Sequence, residues 1–592
     1  MANLKKGQIM TVLESKYNEI IDTFELEKPL DANNINMLVK EVLHSFLIGK
    51  NKPAIYCNGG HTKMLMADFM FELKNVKIII DNYHTEFASG FKIISDEKIE
   101  EFDVDAIIIS SYKFRKEISE KLGMQYPKIP VLDIYEEIQK KGVNLQADYY
   151  YNNHPFQHYH IINELNRLDD SEEKYKELVT KYLHIKDVRM AFNSAKKLVE
   201  LYPKEKNKKL AKDIRILYEL EIELFDKIDK NNVLLLCLDG MRRQDMSQKC
   251  VPKLMDVISK KGCFYDNTYS YSTSTYESLI PVYSENTDFK TEYYKHNKVD
   301  SSYCRFIGEA LKQDRKIYFY TDMDYYIYDK KINYSNSFQT ITEKLWYFLI
   351  DAINTDNGLF LIHELYETHY SFSNPYTREK LLAEGTAMLF DFLPQKGGKL
   401  RADYISQHND AMKYIDDTLS SFLGKSNFKI LLYADHGNLL LSDECTIREI
   451  DEIKLTCSEE WIQVPFVIFN NGNEGKRISD LHSLMQLNSA VICMMNNKIY
   501  RHDNADYIKV GRSELYNPDF RMLYKMINQE QDLLAFEFFV FKDGIKIVIF
   551  SDGNFRIYKG DARVFNQEMY KEYIVSILPF ITVSNNLMRE EV

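Results

Sequence analysis

Six apolar residues in a row, Val233 to Leu238, end abruptly at Asp239-Gly240. A run of that length stopped by glycine predicts a strand buried on both faces, not the alternating pattern of a half-exposed one. The pattern returns at Lys429-Ile-Leu-Leu-Tyr-Ala, which stops at Asp435-His436-Gly437, and at Gly358-Leu-Phe-Leu-Ile-His363. Further strands are predicted at 316–320 and 464–469. Between them, 251–262, 306–311 and 404–423 repeat apolar residues at helical spacing; Pro252 opens the first and Gly262 closes it. Strands alternating with helices through 231–514 predict an α/β domain with a large, doubly wound, mainly parallel sheet.

The flanking regions read differently. Residues 1–48 carry two helical stripes, with Val12, Tyr17, Ile20, Ile21 and Phe24 in the first and Leu38, Val39, Val42 and Leu43 in the second. Residues 49–148 place strands at 53–57, 76–81, 105–111 and 130–133 around a glycine turn and helices, which predicts a small Rossmann-like α/β domain. Its turn, Asn58-Gly59-Gly60-His61, lacks the full G-x-G-x-x-G. Gly59 and Gly60 suit either a phosphate at the helix start or a tight turn without ligand, and Asp81 suits either a ribose hydroxyl or a turn; these three are the cofactor-binding candidates. The layout resembles, in pattern only, the Rossmann-like domains that accompany sugar-modifying enzymes. Residues 149–230 are polar and helical and predict a helical linker, with Pro203 closing one helix. Residues 515–592 predict hairpins turning at Asp543-Gly544 and Asp552-Gly553 and a helix at 567–577, a small β-sheet completing the catalytic domain.

Composition narrows the class. The 592 residues exceed what one core organises, and 45% hydrophobic with 28% charged residues is ordinary for a globular chain. A net charge of −12 repels nucleic acid and anionic membrane. Eight cysteines without a C-x-x-C pair point to reduced thiols, not to a disulfide framework or structural zinc. No stretch has signal-peptide or membrane-spanning character, so the expectation is a soluble cytoplasmic protein without an integral membrane segment.

The chemistry gathers at the strand ends, where open α/β sheets place their sites. Asp239, Asp435 and His436 are ligand-type residues at two such ends, and Ser272-Thr273-Ser274-Thr275 precedes a helical stretch. Two strand ends and one hydroxyl at a helix start can meet at one metal ion. Each residue also has a structural alternative: Asp239 as a turn residue, any of the four hydroxyls as a helix N-cap, His363 as a packed core histidine, Asp416 as a structural helix residue. His369 lies just past its strand, and Arg242 suits a substrate anion, a contact to Asp239 or solvent.

The ordered set resembles the alkaline phosphatase superfamily on its sulfatase-like branch. Leu236-Cys-Leu-Asp-Gly-Met-Arg242 resembles its first metal strand end, and Val251-Pro-Lys-Leu through Gly262-Cys-Phe-Tyr-Asp-Asn its "TPNL…G…F.N" stretch. Thr275-Tyr-Glu-Ser278-Leu falls at the family's nucleophile, 361–370 at its substrate-facing histidine, Ala434-Asp-His-Gly437 at its last metal strand, and Val464-Pro-Phe466 at its "VP" strand. The resemblance covers about 231–500 and implies a divalent ion on Asp239, Thr275, Asp435 and His436, zinc or manganese, with calcium or magnesium as alternatives. It implies Thr275 as nucleophile, a covalent phosphothreonine, His369 as catalytic residue on a phosphoryl oxygen or the leaving group, and Arg242, His363 and His369 as substrate-binding. Sulfatases of this fold use a converted Cys or Ser in C-x-P-S-R; here Thr275 has neither the Cys nor the Arg, as in phosphoethanolamine and glycerol-phosphate transferases. Asp239 is single, so a second metal has no matched ligand set. The expected activity is phosphotransfer or phosphohydrolysis on a small-molecule or glycan phosphoester, with a sulfatase or a non-catalytic sulfatase-like binding module as alternatives.

Overall fold

The structure, a computed structural model, describes residues 6–28, 32–59, 61–62, 65–66, 69, 72–82, 91–143, 155–285, 299–321, 327–335, 339–370, 372–377, 399–440, 457–513, 535–550, 554–560 and 562–581. Gly60 and the turn at Asp552-Gly553 lie outside the described residues. The chain divides into two compact units, 28–158 and 1–27 with 159–592.

The smaller unit is a five-stranded parallel sheet of β1 (Pro53–Tyr56), β2 (Ile78–Ile80), β3 (Lys92–Ile94), β4 (Ala106–Ile109) and β5 (Val131–Asp133), in the order β3-β2-β1-β4-β5. This is the Rossmann-like arrangement expected, with β3 added. Lys92-Ile-Ile94 was too short and too little alternating to read as a strand, and it forms because β2 offers it a parallel edge.

In the larger unit an eight-stranded sheet runs β9-β8-β10-β6-β11-β12-β7-β13. The strands are β6 (Val233–Leu238), β7 (Gly262–Tyr265), β8 (Lys316–Tyr320), β9 (Ile332–Ser335), β10 (Gly358–Glu364), β11 (Lys429–Tyr433), β12 (Phe466–Phe469) and β13 (Lys476–Ile478). β12 is antiparallel to both its neighbours and every other pairing is parallel. Successive β6 side chains enter opposite cores, Leu234, Leu236 and Leu238 on one face and Val233, Leu235 and Cys237 on the other. That two-sided burial is why the strand reads as an unbroken apolar run. Register then fixes the site. Cys237 pairs with His363 on one side and with Tyr433 on the other, so two residues further on Asp239 and Asp435 emerge together at the sheet's C-terminal edge.

Helices cover both faces. One carries α10 (Thr275–Ser284), which buries Leu279 and Val282. The other carries α12 (Ile341–Ile353) and α13 (Lys399–Lys425), and with them α5 (Pro155–Arg167), α6 (Glu172–His184), α7 (Val188–Leu201) and α8 (Glu205–Asp226). The stretch 149–230, expected as a linker, is from Tyr159 onward a helical layer of the larger unit. Its apolar stripe, including Leu178, Leu198, Leu210 and Leu217, shares a core with Leu234 and Leu432; each such side chain contributes roughly 1.5–3 kcal/mol by leaving water. Helix α1 (Lys6–Thr23) joins the same core through Tyr17, Ile20 and Ile21, whereas α2 (Ala32–Leu47) belongs to the smaller unit.

Gly262 ends α9 (Pro252–Lys261) for a reason other than a left-handed cap. Its φ is −104°, and an added Cβ would lie 2.9 Å from Val467 Cγ1 and 3.1 Å from the Ile258 carbonyl oxygen. A C-terminal antiparallel sheet runs β14 (Tyr507–Ser513), β15 (Ala535–Phe541), β16 (Ile545–Phe550), β17 (Phe555–Lys559) and β18 (Ala562–Val564). The β15–β16 hairpin turns at Asp543-Gly544, where Gly544 has φ +80°. Ile508, Phe536, Phe538 and Val548 put one face of this sheet into the main core. No helix of the described residues is long and apolar enough to cross a membrane, and the described cysteines form no disulfide.

Candidate active site

Three sheet ends and one helix start meet. Asp239, fully buried, follows β6 and is anchored by its N–H on the Glu364 carbonyl at 2.9 Å. Thr275 opens α10 behind the N-cap Ser274, and its hydroxyl lies 3.1 Å from Asp239 Oδ2 and 3.3 Å from His436 Nε2. His436 Nε2 is 3.4 Å from Asp435 Oδ2 and 3.5 Å from Asp239 Oδ1. His363 Nε2 lies 2.8 Å from Asp239 Oδ2, and His369 Nε2 3.7 Å from Asp239 Oδ1. Thr275 and His369 are half-buried while the carboxylates, His363 and His436 are buried, so the cluster opens through the hydroxyl and His369.

Of the four adjacent hydroxyls only Thr275 faces the carboxylates. Ser272 donates to Glu277 at 2.9 Å, Ser274 is the N-cap, and Thr273 Oγ1 is buried without a hydrogen-bond partner among the described residues. Ser278 donates to the Asp435 carbonyl at 2.6 Å and so ties α10 to the β11 end.

Turn geometry holds the pieces together. Gly240 has φ +69°, and a Cβ there would sit 2.3 Å from Asn438 Nδ2. Asn438 Nδ2 donates to the Gly240 carbonyl at 2.7 Å and the Thr368 carbonyl at 3.2 Å, which joins the loops carrying Asp239, His369 and His436. Asp435 Oδ1 accepts the Gly240 N–H at 3.1 Å. Gly437 has no room for a side chain, since a Cβ would lie 2.1 Å from the Glu460 carbonyl oxygen. Sequence reasoning missed Asn438; its position next to the Asp-His-Gly triplet was the only signal.

The electrostatics call for a cation. Asp239 Oδ1 and Asp435 Oδ2 are buried with no hydrogen-bond partner among the described residues. Burial alone would raise the Asp239 carboxyl, but the imidazoles of His369, His363 and His436 outweigh it and hold it well below the usual range. Burial, then the Asp239 charge, raises Asp435. Burial pushes the His369 imidazole down to about 4 despite the pull of Asp239. His369 and His436 each direct Nδ1 at a backbone carbonyl, of Tyr370 at 3.1 Å and of Gly437 at 2.6 Å. A carbonyl only accepts, so Nδ1 carries the proton and Nε2 keeps its lone pair, as in metal-binding imidazoles. Two ligand sets share Asp239: Asp239, His369 and His436, and Asp239, His363 and Asp435. Two buried carboxylates with bare oxygens and neutral imidazoles fit a divalent ion of zinc type.

Other candidates have different surroundings. Arg242, expected to meet a substrate anion or Asp239, is buried and committed: Nη2 to Asp245 Oδ1 at 2.6 Å and Nη1 to Glu460 Oε1 at 2.8 Å. Asp245 also takes His408 Nε2 at 3.3 Å, so Arg242 ties the loop after β6 to α13 and the 460 segment. Asp416 accepts the Lys253 and Leu254 N–H groups at 3.3 and 2.7 Å and caps α9. In the smaller unit Asp81 Oδ2 accepts the Asn58 N–H at 2.8 Å, and a Cβ on Gly59 would meet nothing within 4 Å, so no close backbone approach calls for glycine there.

Comparison with known proteins gives three findings. The family model described as C2185-like, N-terminal, matches residues 49–132. No curated protein matches the chain. Among solved structures the chain is similar to phosphonate monoester hydrolase SpPMH from Silicibacter pomeroyi, at 11% identity and a TM-score of 0.42, covering 61% of this chain and 94% of that one. It is similar to the C-terminal periplasmic domain of EcEptC from Escherichia coli in complex with Zn, at 13% identity and a TM-score of 0.32, covering 47% and 85%. A third is the soluble domain of lipooligosaccharide phosphoethanolamine transferase A from Neisseria meningitidis, at 13% identity and a TM-score of 0.32, covering 46% and 91%. These structural neighbours belong to the alkaline phosphatase superfamily.

Proposed function

We propose that the larger unit is a metal-dependent phosphotransferase or phosphohydrolase with Thr275 as its nucleophile. One observation carries this: the Thr275 hydroxyl lies 3.1 Å from Asp239 Oδ2 and 3.3 Å from His436 Nε2, beside carboxylate oxygens that no donor satisfies. Asp239, Asp435 and His436 would hold the ion, zinc or manganese, with His363 and His369 at hand. Bound there, the ion supplies Lewis acidity toward the hydroxyl and the substrate oxygen.

Thr275 attacks the phosphorus in line, its proton passes to a neighbouring carboxylate or imidazole, and the phosphorus–oxygen bond to the leaving group breaks. The product is a phosphothreonine ester, which water or an acceptor hydroxyl then cleaves. The N-terminal end of α10 favours negative charge on the phosphoryl oxygens. His369, neutral and half-buried, faces the same opening and accepts or returns a proton at Nε2. A threonine cannot become the aldehyde that sulfatases use, which favours phosphorus over sulfur esters. The substrate class is a small-molecule or glycan phosphoester, including one carried on a nucleotide-linked precursor.

The test is turnover of bis(p-nitrophenyl) phosphate and p-nitrophenyl sulfate by zinc- or manganese-loaded protein. Phosphodiester turnover should fall by about 10³-fold or more in Thr275→Ala with bound metal retained, and stay within about threefold in Thr273→Ala. Sulfate turnover alone, or full activity in Thr275→Ala, overturns the reading.

A further inference from the structure

The turn that leads to His369 carries a charged assembly that no step above uses. Glu364 ends β10, and Lys344 projects from α12; both are fully buried, with Nζ 3.1 Å from Glu364 Oε2. Glu364 Oε1 accepts the Tyr366 N–H at 2.8 Å and the Glu367 N–H at 3.4 Å. Glu367, also fully buried, accepts the Ile341 N–H at 3.1 Å on Oε1, and the Tyr159 hydroxyl of α5 bonds the same oxygen. The turn closes with the His369 N–H on the Leu365 carbonyl at 3.1 Å.

Such an assembly is a poor way to gain stability. Burying an ion pair costs desolvation that apolar side chains of similar size avoid. What it provides is geometry. The 364–369 turn is fastened to the β10 end, to the start of α12 and to α5 by bonds of fixed direction. The residue it delivers is His369, with Nε2 3.7 Å from Asp239 Oδ1.

We propose that Glu364 and Glu367 are positioning residues that hold the His369 imidazole at the metal-type cluster, with Lys344 as countercharge and Tyr159 as the outer clamp. The proposal rests on the phosphoryl-transfer reading for its turnover measurement and on the cluster alone for its metal measurement.

The experiment is a double-mutant cycle in the full chain between Glu367→Ala and His369→Ala, read by kcat and KM for bis(p-nitrophenyl) phosphate and by zinc affinity from calorimetry. Glu367→Ala should lower kcat by about 10–100-fold with KM within about threefold, and add less than about twofold when His369 is already alanine. Glu367→Gln keeps the Oε1 acceptor and should retain kcat within about threefold. An equal loss in both backgrounds, or none in either, overturns the positioning role. If Glu367→Ala does not fold, Tyr159→Phe replaces it in the cycle with an expected loss of about three- to tenfold under the same criterion. If the wild type turns over no phosphodiester, zinc affinity decides: an unchanged value in Glu367→Ala overturns the role, and a drop of about tenfold that is absent in the His369→Ala background supports it.

Discussion

Both units end parallel strands in polar residues, yet among the described residues only one of those edges leaves charge unanswered. At the edge of the smaller sheet Asp81 takes the Asn58 N–H, and the His61 imidazole lies 2.7 Å from both the Ser110 and the Tyr135 hydroxyls. At the edge of the larger sheet Asp239 and Asp435 keep oxygens with no donor in reach among the described residues, and the facing imidazoles turn their lone pairs inward. Two edges of the same kind thus differ in their local hydrogen bonding. Position at a strand end makes a site available; uncompensated buried charge is what asks for a ligand.

The sharpest way to break this contrast is Asp435→Asn. It should lower zinc affinity by at least about 10³-fold, measured by calorimetry. The same change should raise the Tm of the metal-free protein by about 2–4 °C, since an amide can donate to Asp239 where a second carboxylate repels it. A metal-free variant less stable than wild type would show that the two carboxylates are not in conflict. Gly240→Ala comes next: the positive φ and the 2.3 Å approach to Asn438 Nδ2 leave no room, so zinc affinity should fall by about 10–100-fold and thermal stability with it. At the closed edge, His61→Ala should cost about 1–3 kcal/mol of stability to chemical denaturation by stranding two hydroxyls, and leave zinc affinity and turnover unchanged.

The last effect is a pH slope. Burial, then the Asp187 charge, pushes the Glu221 carboxyl up to about 8 against the pull of Arg189. A raised folded value means that the folded state holds a proton the unfolded chain has already lost above about pH 4.5. The stability this gives is fully present below that pH and is lost as pH rises through about 8. Glu221→Gln should remove that slope, so the variant matches wild type near pH 4 and exceeds it at pH 9 in thermal melts.

The sequence exposed what two-sided burial imposes. The runs at Val233–Leu238 and Lys429–Tyr433 marked the central strands and so placed Asp239 and Asp435. Thr275 was readable from its place at a helix start, and spacing favoured it over Thr273; α10 sets its hydroxyl 3.1 Å from Asp239 Oδ2. Three features could not be read. Arg242 looks free in one dimension, and its partner Glu460 is distant in sequence. His363 resembles any core histidine until β10 pairs with β6 and sets it against Asp239. The helices from Tyr159 to Asp226 are polar enough to suggest a spacer, because each hides only a narrow apolar stripe against a sheet that begins later in the chain.

Helix α1 gives a practical rule for dissecting the molecule. Tyr17 packs against Trp346 with ring centroids 5.7 Å apart and donates to the Leu183 carbonyl at 3.1 Å, so residues 1–27 belong with 159–592. The smaller unit is therefore an insertion between two parts of one body. A fragment begun at residue 159 would bare a greasy strip on α8 and α12 and should aggregate. One that splices 1–27 to 159–592 through a flexible bridge should stay monodisperse and keep its chemistry.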